Sequence, residues 1–166
     1  MDYFQGVVTE FLRANRATFV NTECCIQLNP GGEPEEGKHW YCDAVAVNLH
    51  ERQAYLCEVT YSRSLGALSK RLSRWSANWP LLRVALDRDC GIAQDWQVRP
   101  WLFVPADLRG LLEKQLSKMT NVGSEPAHMP YPKITSLEEV TPWKYNTWNR
   151  RHLDRDEEIT TTEQAA

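Results

Sequence analysis

The chain lacks the features that define several large protein classes. It has no run of about 18 apolar residues, so no membrane-spanning helix is expected. Neither a GxGxxG nor a GxxxxGKS pattern occurs, so a phosphate-cradling nucleotide site is not indicated. The net charge of −3 argues against a strongly basic protein that coats nucleic acid.

Cysteine is scarce and irregularly placed. The chain has five cysteines and no CxxC pattern, so a disulfide framework is not favoured and a reducing, cytoplasmic location is expected. The one set from which a zinc site could be assembled is Cys24, Cys25, His39 and Cys42. A structural role is favoured, because adjacent residues of one strand face opposite ways. Residues 2–16 predict an amphipathic helix rather than a signal peptide.

The apolar pattern predicts a mixed α/β domain with a central β-sheet flanked by helices. The expected order is helix, three strands, helix, strand, helix, strand and helix, because periods of two and of 3.6 residues alternate along the chain. An antiparallel meander followed by crossover helices implies a mixed sheet. We expect one domain over residues 1–153. The tail 154–166 carries five acidic residues and one basic residue, which predicts disorder.

Residues 41–62, YCDAVAVNLHERQAYLCEVTYS, read as a hairpin with one carboxylate in each apolar strand. Pairing Asn48 with Gln53 places Asp43 opposite Glu58, with the side chains about 5 Å apart on one face. Two carboxylates that close repel each other unless a cation lies between them or one binds a proton. Mg²⁺ commonly binds one or two carboxylates, so the pattern predicts a site for a hard metal ion.

Another interpretation of the hairpin stays open. The register slips by one residue, or a strand end exposes one carboxylate to solvent. A single basic side chain then pairs with that carboxylate, and the candidates are Arg52, Arg63 and Lys70. Under this interpretation the acids have a structural role only.

The sequence CDAVAVN…AYLCEVTYS, preceded by a helix and followed by a basic helix, resembles the PD-(D/E)XK nuclease superfamily. The resemblance covers residues 1–105 and implies a restriction-endonuclease-like fold with the core order αβββαβ. Asp43 matches the first acid of the motif and Glu58 the second. The motif lysine should stand two residues after Glu58, where this chain has Thr60.

The resemblance implies a role for each matching residue. Asp43, Glu58 and the Val59 carbonyl would bind Mg²⁺ or Mn²⁺, with Glu10 of the first helix as a further ligand. Lys70 would replace the charge of the motif lysine, while Thr60 would hold a water molecule. The implied ligands of phosphate are Arg63, Arg71 and Arg74. For Glu10 and the basic residues of the helix, a plain solvated surface is the open alternative.

The first hypothesis is therefore a metal-dependent nuclease that hydrolyses phosphodiester bonds, with DNA favoured over RNA. Because so small a domain has no separate reader of sequence, specificity is expected from a homodimer or a protein partner. The second hypothesis follows from Thr60. It is a catalytically inactive member of the same fold that binds nucleic acid or protein. A third is an unrelated α/β domain with surface-facing carboxylates.

Overall fold

A five-stranded mixed sheet organises the computed structural model, in which residues 2–31, 33–35, 38–124 and 127–148 are described. The strands lie in the order of the chain. They are β1 (Thr18–Gln27), β2 (His39–Asn48), β3 (Gln53–Val59), β4 (Gln97–Val104) and β5 (Lys133–Ser136). The first three pair antiparallel, and the last two add in parallel.

Helices cover both faces of the sheet. They are α1 (Tyr3–Arg13), α2 (Gly66–Ala77), α3 (Trp79–Cys90) and α4 (Arg109–Leu116), with 3-10 turns at Ala106–Leu108 and Leu137–Val140. The larger apolar cluster joins one face of the sheet to α2, α3 and α4. The smaller cluster joins the other face to α1 and the second 3-10 turn. The predicted mixed α/β class is therefore confirmed.

The hairpin has the predicted register. Asn48 pairs with Gln53, and the ladder runs to the pair Ala44–Cys57. The turn between the strands contains Arg52, whose φ of 51° is in the left-handed region. This register places the two carboxylates at the end of the β2–β3 ladder, since Asp43 and Glu58 are the next positions beyond Ala44–Cys57. Glu58 is near the end of β3, whereas Asp43 lies within β2.

Two helices that meet at Asn78 connect β3 to β4. Helix α2 ends at Ala77, and α3 begins at Trp79 with Pro80 in its first turn. Proline suits this position because its missing N–H would have no partner there. A capping box opens the second 3-10 turn, with Glu139 accepting from the Ser136 N–H at 2.9 Å.

Two further expectations concern the ends of the chain and the membrane. The predicted acidic tail at 154–166 lies outside the described residues. Within the described ranges, no helix has the length and apolar character needed to cross a membrane.

Candidate metal and phosphate site

The two acids lie just beyond the end of the β2–β3 ladder, between α1 and α2. Asp43 contacts α1, where Gln5 Nε2 donates to Asp43 Oδ1 at 2.9 Å. Glu58 contacts α2, where the Arg71 guanidinium forms an ion pair with Glu58 Oε2. The two carboxylates therefore occupy one end of the sheet but contact different helices, whereas the sequence predicts that both face the same way.

A local irregularity of β2 accounts for this difference. Cys42 belongs to the larger apolar cluster and Ala44 to the smaller one, although they are two residues apart. Regular alternation would place both on one face of the sheet. The ladder with β1 omits Asp43 and Glu23, and Glu23 has a φ of 54°. Asp43 therefore lies where the alternation of β2 changes.

Asp43 is held by hydrogen bonds to both of its oxygens. Besides Gln5, the Val59 N–H donates to Oδ2 at 2.7 Å. Burial raises the pKa of the Asp43 carboxyl, while the bond from Val59, the charge of Arg71 and the bond from Gln5 act to lower it. The donors from α1 and β3 thus fix the orientation of this carboxylate.

Glu58 is the more buried acid, with 3% of its surface exposed. Burial, followed by the charge of Asp43, raises its pKa to about 8, against the opposing effect of Arg71. Its Oε1 atom is buried without a hydrogen-bond partner. The Cys42 thiol interacts with the carboxyl group and helps to lower its pKa, but a thiol is a weak donor. Glu58 therefore retains an incompletely satisfied buried oxygen.

Arg71 is the cation shared by the two acids. It forms the ion pair with Glu58, and its charge lowers the pKa of both carboxyls. Its position follows from the helix, since Arg71 is three residues after Leu68 and four before Trp75, which are both buried. Arg71 therefore extends from the edge of the buried face of α2 toward the sheet.

The other predicted site residues of the α1 and α2 helices lie on exposed faces. Glu10 has a side chain 69% exposed and pairs with Arg13 at 3.3 Å. Lys70 and Arg74 are exposed on α2, and Arg63 is exposed in the loop before it. The structure therefore brings Asp43, Glu58 and Arg71 together, but not Glu10.

Val59 and Thr60 complete the end of β3. The Val59 N–H donates to Asp43 Oδ2. Thr60 is half-buried, and its N–H donates to the carbonyl of Phe103 on β4 at 3.0 Å. Thr60 therefore stands at the point where the parallel pairing of β3 and β4 ends.

Gln5 is the site residue that the sequence did not reveal. It closes the capping box of α1 with Asp2, in which Gln5 Oε1 accepts from the Asp2 N–H at 2.8 Å. The pattern of an aspartate followed three residues later by a glutamine is a readable helix start. Its contact with Asp43 depends on how α1 crosses the sheet, and no local sequence pattern predicts that crossing.

The residues present are suited to a hard cation, but they do not form a complete set of ligands. Carboxylate oxygens are the ligands that Mg²⁺ and Mn²⁺ prefer. Across the described ranges, no three His, Cys, Asp or Glu side chains come together as a metal-binding group. Asp43 and Glu58 can therefore supply two side-chain ligands, and the other ligands would be a backbone carbonyl, water or phosphate.

A second polar region lies near the beginning of β3. Lys133 Nζ is 3.6 Å from the ring centroid of Trp101 and 5.4 Å from that of Tyr55. These three residues line a cavity of about 350 Å³ beside the end of α1. Burial, followed by the charge of Arg99, lowers the pKa of Lys133. This region places a cation on aromatic faces, and the charge of Glu51, which also lines the cavity, acts to raise the pKa of Lys133.

No protein-family model, curated protein or solved structure matches the chain. The chemistry of the Asp43–Glu58 region is therefore the guide to function.

Proposed function

We propose that the chain is a metal-dependent hydrolase of phosphodiester bonds in nucleic acid, with its centre at Asp43 and Glu58. The buried Oε1 atom of Glu58, which has no hydrogen-bond partner, supports this proposal most directly. An unsatisfied buried carboxylate oxygen is costly unless a cation or a proton completes it. The order of the elements up to β4 is αβββααβ, which differs from the αβββαβ order that the PD-(D/E)XK resemblance implies only by the additional helix α3.

Two acids and one backbone group would hold Mg²⁺ or Mn²⁺. Glu58 Oε1 has no hydrogen-bond partner apart from the weak interaction with the Cys42 thiol, and each Asp43 oxygen retains a lone pair after accepting its one described bond. The Val59 carbonyl is the third ligand in the proposal. When bound, the metal lowers the pKa of a water molecule and neutralises charge on the phosphate.

The protein's own residues prepare these ligands. Gln5 and the Val59 N–H hold Asp43 in one orientation, so little ordering is required on binding. Glu58 must lose its proton before it can act as a ligand, because its pKa is raised to about 8. The Thr60 hydroxyl would orient a water molecule, but it brings no charge to replace the motif lysine.

Arg71 has a double role in this proposal. In the structure it neutralises Glu58. With metal and substrate bound, Arg71 would be free to bind phosphate, for which its planar donor fork is well suited. Arg63, Lys70 and Arg74 are exposed nearby in sequence and would add charge along the substrate backbone. DNA is the favoured substrate, with sequence specificity supplied by a homodimer or a protein partner.

The ion pair itself favours a second candidate function. Because Arg71 already pairs with Glu58 and its charge lowers the pKa of both carboxyls, the fold offsets part of their charge without a metal. The chain would then be an inactive member of the fold that binds nucleic acid or protein. Thr60, which stands where a catalytic lysine would be, is consistent with this alternative.

A cleavage assay separates the two candidates. The wild-type chain is incubated with single- and double-stranded DNA and RNA in Mg²⁺ or Mn²⁺, beside Asp43→Asn, Glu58→Gln and Asp95→Asn. We expect cleavage that EDTA abolishes and that falls at least about 100-fold in the first two variants, because each loses a metal ligand. Asp95 forms an exposed ion pair with Arg52, so Asp95→Asn should cleave like the wild type.

Isothermal titration of the metal and of a short DNA, each alone, completes the test. Binding of DNA without metal binding or cleavage would identify the inactive module and reject the hydrolase. Cleavage that persists in both Asp43→Asn and Glu58→Gln would place the active site elsewhere.

A further inference from the structure

The end of helix α3 lies against strand β1. Arg88 Nη2 donates to the Gln27 carbonyl at 2.8 Å, which joins the last turn of the helix to the end of the strand. Cys90 is the last residue of α3, and Cys24 lies three residues before Gln27 in β1. Helix α3 packs against β1, and the Cys24 and Cys90 side chains interact, each being the first cause of the other's pKa shift. Two cysteines 66 positions apart in the sequence thus meet in the fold.

The two thiols have unequal surroundings. Cys24 belongs to the larger apolar cluster and is 8% exposed, whereas Cys90 is exposed at the surface. The hydrogen bond from Cys24 lowers the pKa of Cys90 to about 7, although burial and the charge of Asp89 act to raise it. The pKa of Cys24 is raised, first by its bond with Cys90 and then by burial. An accessible thiol with thiolate character therefore stands beside a shielded one.

The remaining cysteines lack this combination. Cys42 and Cys57 are fully buried, and burial is the main cause that raises their pKa values. Cys25 is half-buried in β1, and as the neighbour of Cys24 it alternates to the other side of the strand. The structure describes all five cysteines, so the pair Cys24–Cys90 is distinguished from every other thiol of the chain.

We propose that Cys90 is a site of reversible thiol modification that accepts a small-molecule disulfide of the glutathione type, and that Cys24 resolves the adduct into an intramolecular disulfide. The proposal stands independently of the Asp43–Glu58 site. It rests on the contact between the two thiols, the exposure of one and the shielding of the other. An attacking thiol that is accessible and partly ionised, with a resolving thiol in contact, is the arrangement that such exchange requires.

The exchange proceeds in two balanced steps. The Cys90 thiolate attacks one sulfur of the small disulfide, so a mixed disulfide forms and one small thiolate leaves. The Cys24 thiol then gives up its proton and attacks Cys90 Sγ, which forms the Cys24–Cys90 bond and expels the second small thiolate. The two cysteines lose two electrons in total, and the small disulfide gains them as two thiols. Excess small thiol reverses both steps.

The product would close a loop that contains β2, β3 and α2. That loop holds Asp43, Glu58 and Arg71, so the cross-link would fasten the elements that carry the candidate site. A disulfide restricts the unfolded chain more than the folded one, so the oxidised form should unfold at higher denaturant concentration.

The test uses the full chain and oxidised glutathione as the probe. The product is digested after unfolding and alkylation, and its peptides are read by mass spectrometry. We expect a Cys24–Cys90 cross-linked peptide in the wild type, with Cys25, Cys42 and Cys57 alkylated. Cys24→Ala should stop at glutathione on Cys90, and Cys90→Ser should give neither product. Before oxidation, iodoacetamide at pH 7 should label Cys90 about tenfold faster than Cys25.

Cys25→Ser is the matched control and should still form the cross-link. Because Cys24→Ala changes the core, the exposed Cys90→Ser variant provides the decisive comparison. A cross-link to Cys25 instead of Cys24, or equal labelling rates for Cys90 and Cys25, would overturn the proposal. So would a stable glutathione adduct on Cys90 of the wild type, because Cys24 would then have failed to resolve it.

Discussion

The two ends of strand β3 each hold a charged side chain against the sheet, and they satisfy it in different ways. Near the beginning, Lys133 lies over the rings of Trp101 and Tyr55. At the other end, Glu58 is buried with Arg71 on one oxygen and no partner on the other. Both charges are opposed by burial, which lowers the pKa of Lys133 and raises that of Glu58.

The difference indicates which end of β3 is able to bind a ligand. An ammonium over aromatic faces keeps contact with water and gains a favourable electrostatic term, so its surroundings are complete. A buried carboxylate beside a second carboxylate needs a proton or a cation, and one arginine supplies only part of that need. The lysine end thus has a structural explanation that is sufficient in itself, whereas the acid end leaves an oxygen for a ligand.

The largest expected effect tests how incomplete the acid end is. Burial and Asp43 raise the pKa of Glu58 from 4.5 to about 8, so the folded state binds more protons than the unfolded chain between these values. The stability of the folded state is therefore greatest below pH 4.5 with respect to this group, and it falls as the pH rises to about 8. The loss is about 5 kcal/mol as an upper bound.

Glu58→Gln removes this titration and should flatten the pH dependence of stability over the same interval. Urea denaturation at several pH values, without metal, measures it for both proteins. Glu113→Gln is the control, because Glu113 forms an exposed pair with Arg109 and should leave the pH dependence as in the wild type. Equal slopes in the wild type and Glu58→Gln would show that Glu58 is fully satisfied, and the contrast between the two ends would disappear.

The next effect concerns Arg71. Arg71→Ala leaves the buried Glu58 charge uncompensated and should cost about 2–3 kcal/mol above pH 8, where Glu58 is ionised. This is less than for a fully buried pair, because the Arg71 side chain is 36% exposed. The cost should shrink at low pH, because a protonated Glu58 no longer needs a cation. Urea denaturation at the two pH values gives both numbers.

Arg109→Ala is a matched control for this prediction. Its ion pair with Glu113 is exposed on both sides, and such pairs contribute less than about 1 kcal/mol. If Mg²⁺ restores the stability of Arg71→Ala but not that of the double variant Arg71→Ala/Glu58→Gln, the metal replaces the guanidinium at Glu58. Identical losses of stability for Arg71→Ala and Arg109→Ala would show that Arg71 does not compensate a buried charge on Glu58.

Much of this architecture is readable from the sequence, because local periodicity determines it. The alternation in 41–62 and the polar turn predict the hairpin, and its register from Asn48–Gln53 to Ala44–Cys57 is confirmed. Pro80 marks the division between α2 and α3. Helical spacing also predicts that Arg71 lies on the same side of α2 as Leu68 and Trp75. The basic sequence of α2 also made Lys70 a candidate site residue, but Lys70 lies on the exposed side of the helix.

What the sequence could not predict depends on long-range packing. The change of alternation at Asp43 arises where two strands are irregular together, with Glu23 at a φ of 54°. Neither strand contains a glycine or proline that would predict this irregularity. The contact of Gln5 with Asp43 and that of Cys24 with Cys90 likewise join segments far apart in the chain. Periodicity gives the faces of each element, but it does not give the pairs that meet between elements.

The smallest effect sharpens the comparison from the lysine end. Lys133→Gln keeps most of the side chain but removes the charge over Trp101, and cation–π contacts at partly exposed sites contribute about 0.5–1 kcal/mol. Urea denaturation should show a loss of that size, with no change in its pH dependence between 4.5 and 8, the interval over which Glu58 titrates. Lys118→Gln, at an exposed lysine, should be nearly neutral. A loss for Lys133→Gln as large as that for Arg71→Ala would mean that the aromatic end is as strained as the acid end. Burial of charge would then no longer distinguish the Lys133 end of β3 from the Glu58 end. The cavity beside Lys133 would be as good a candidate for binding a ligand as the region of Glu58.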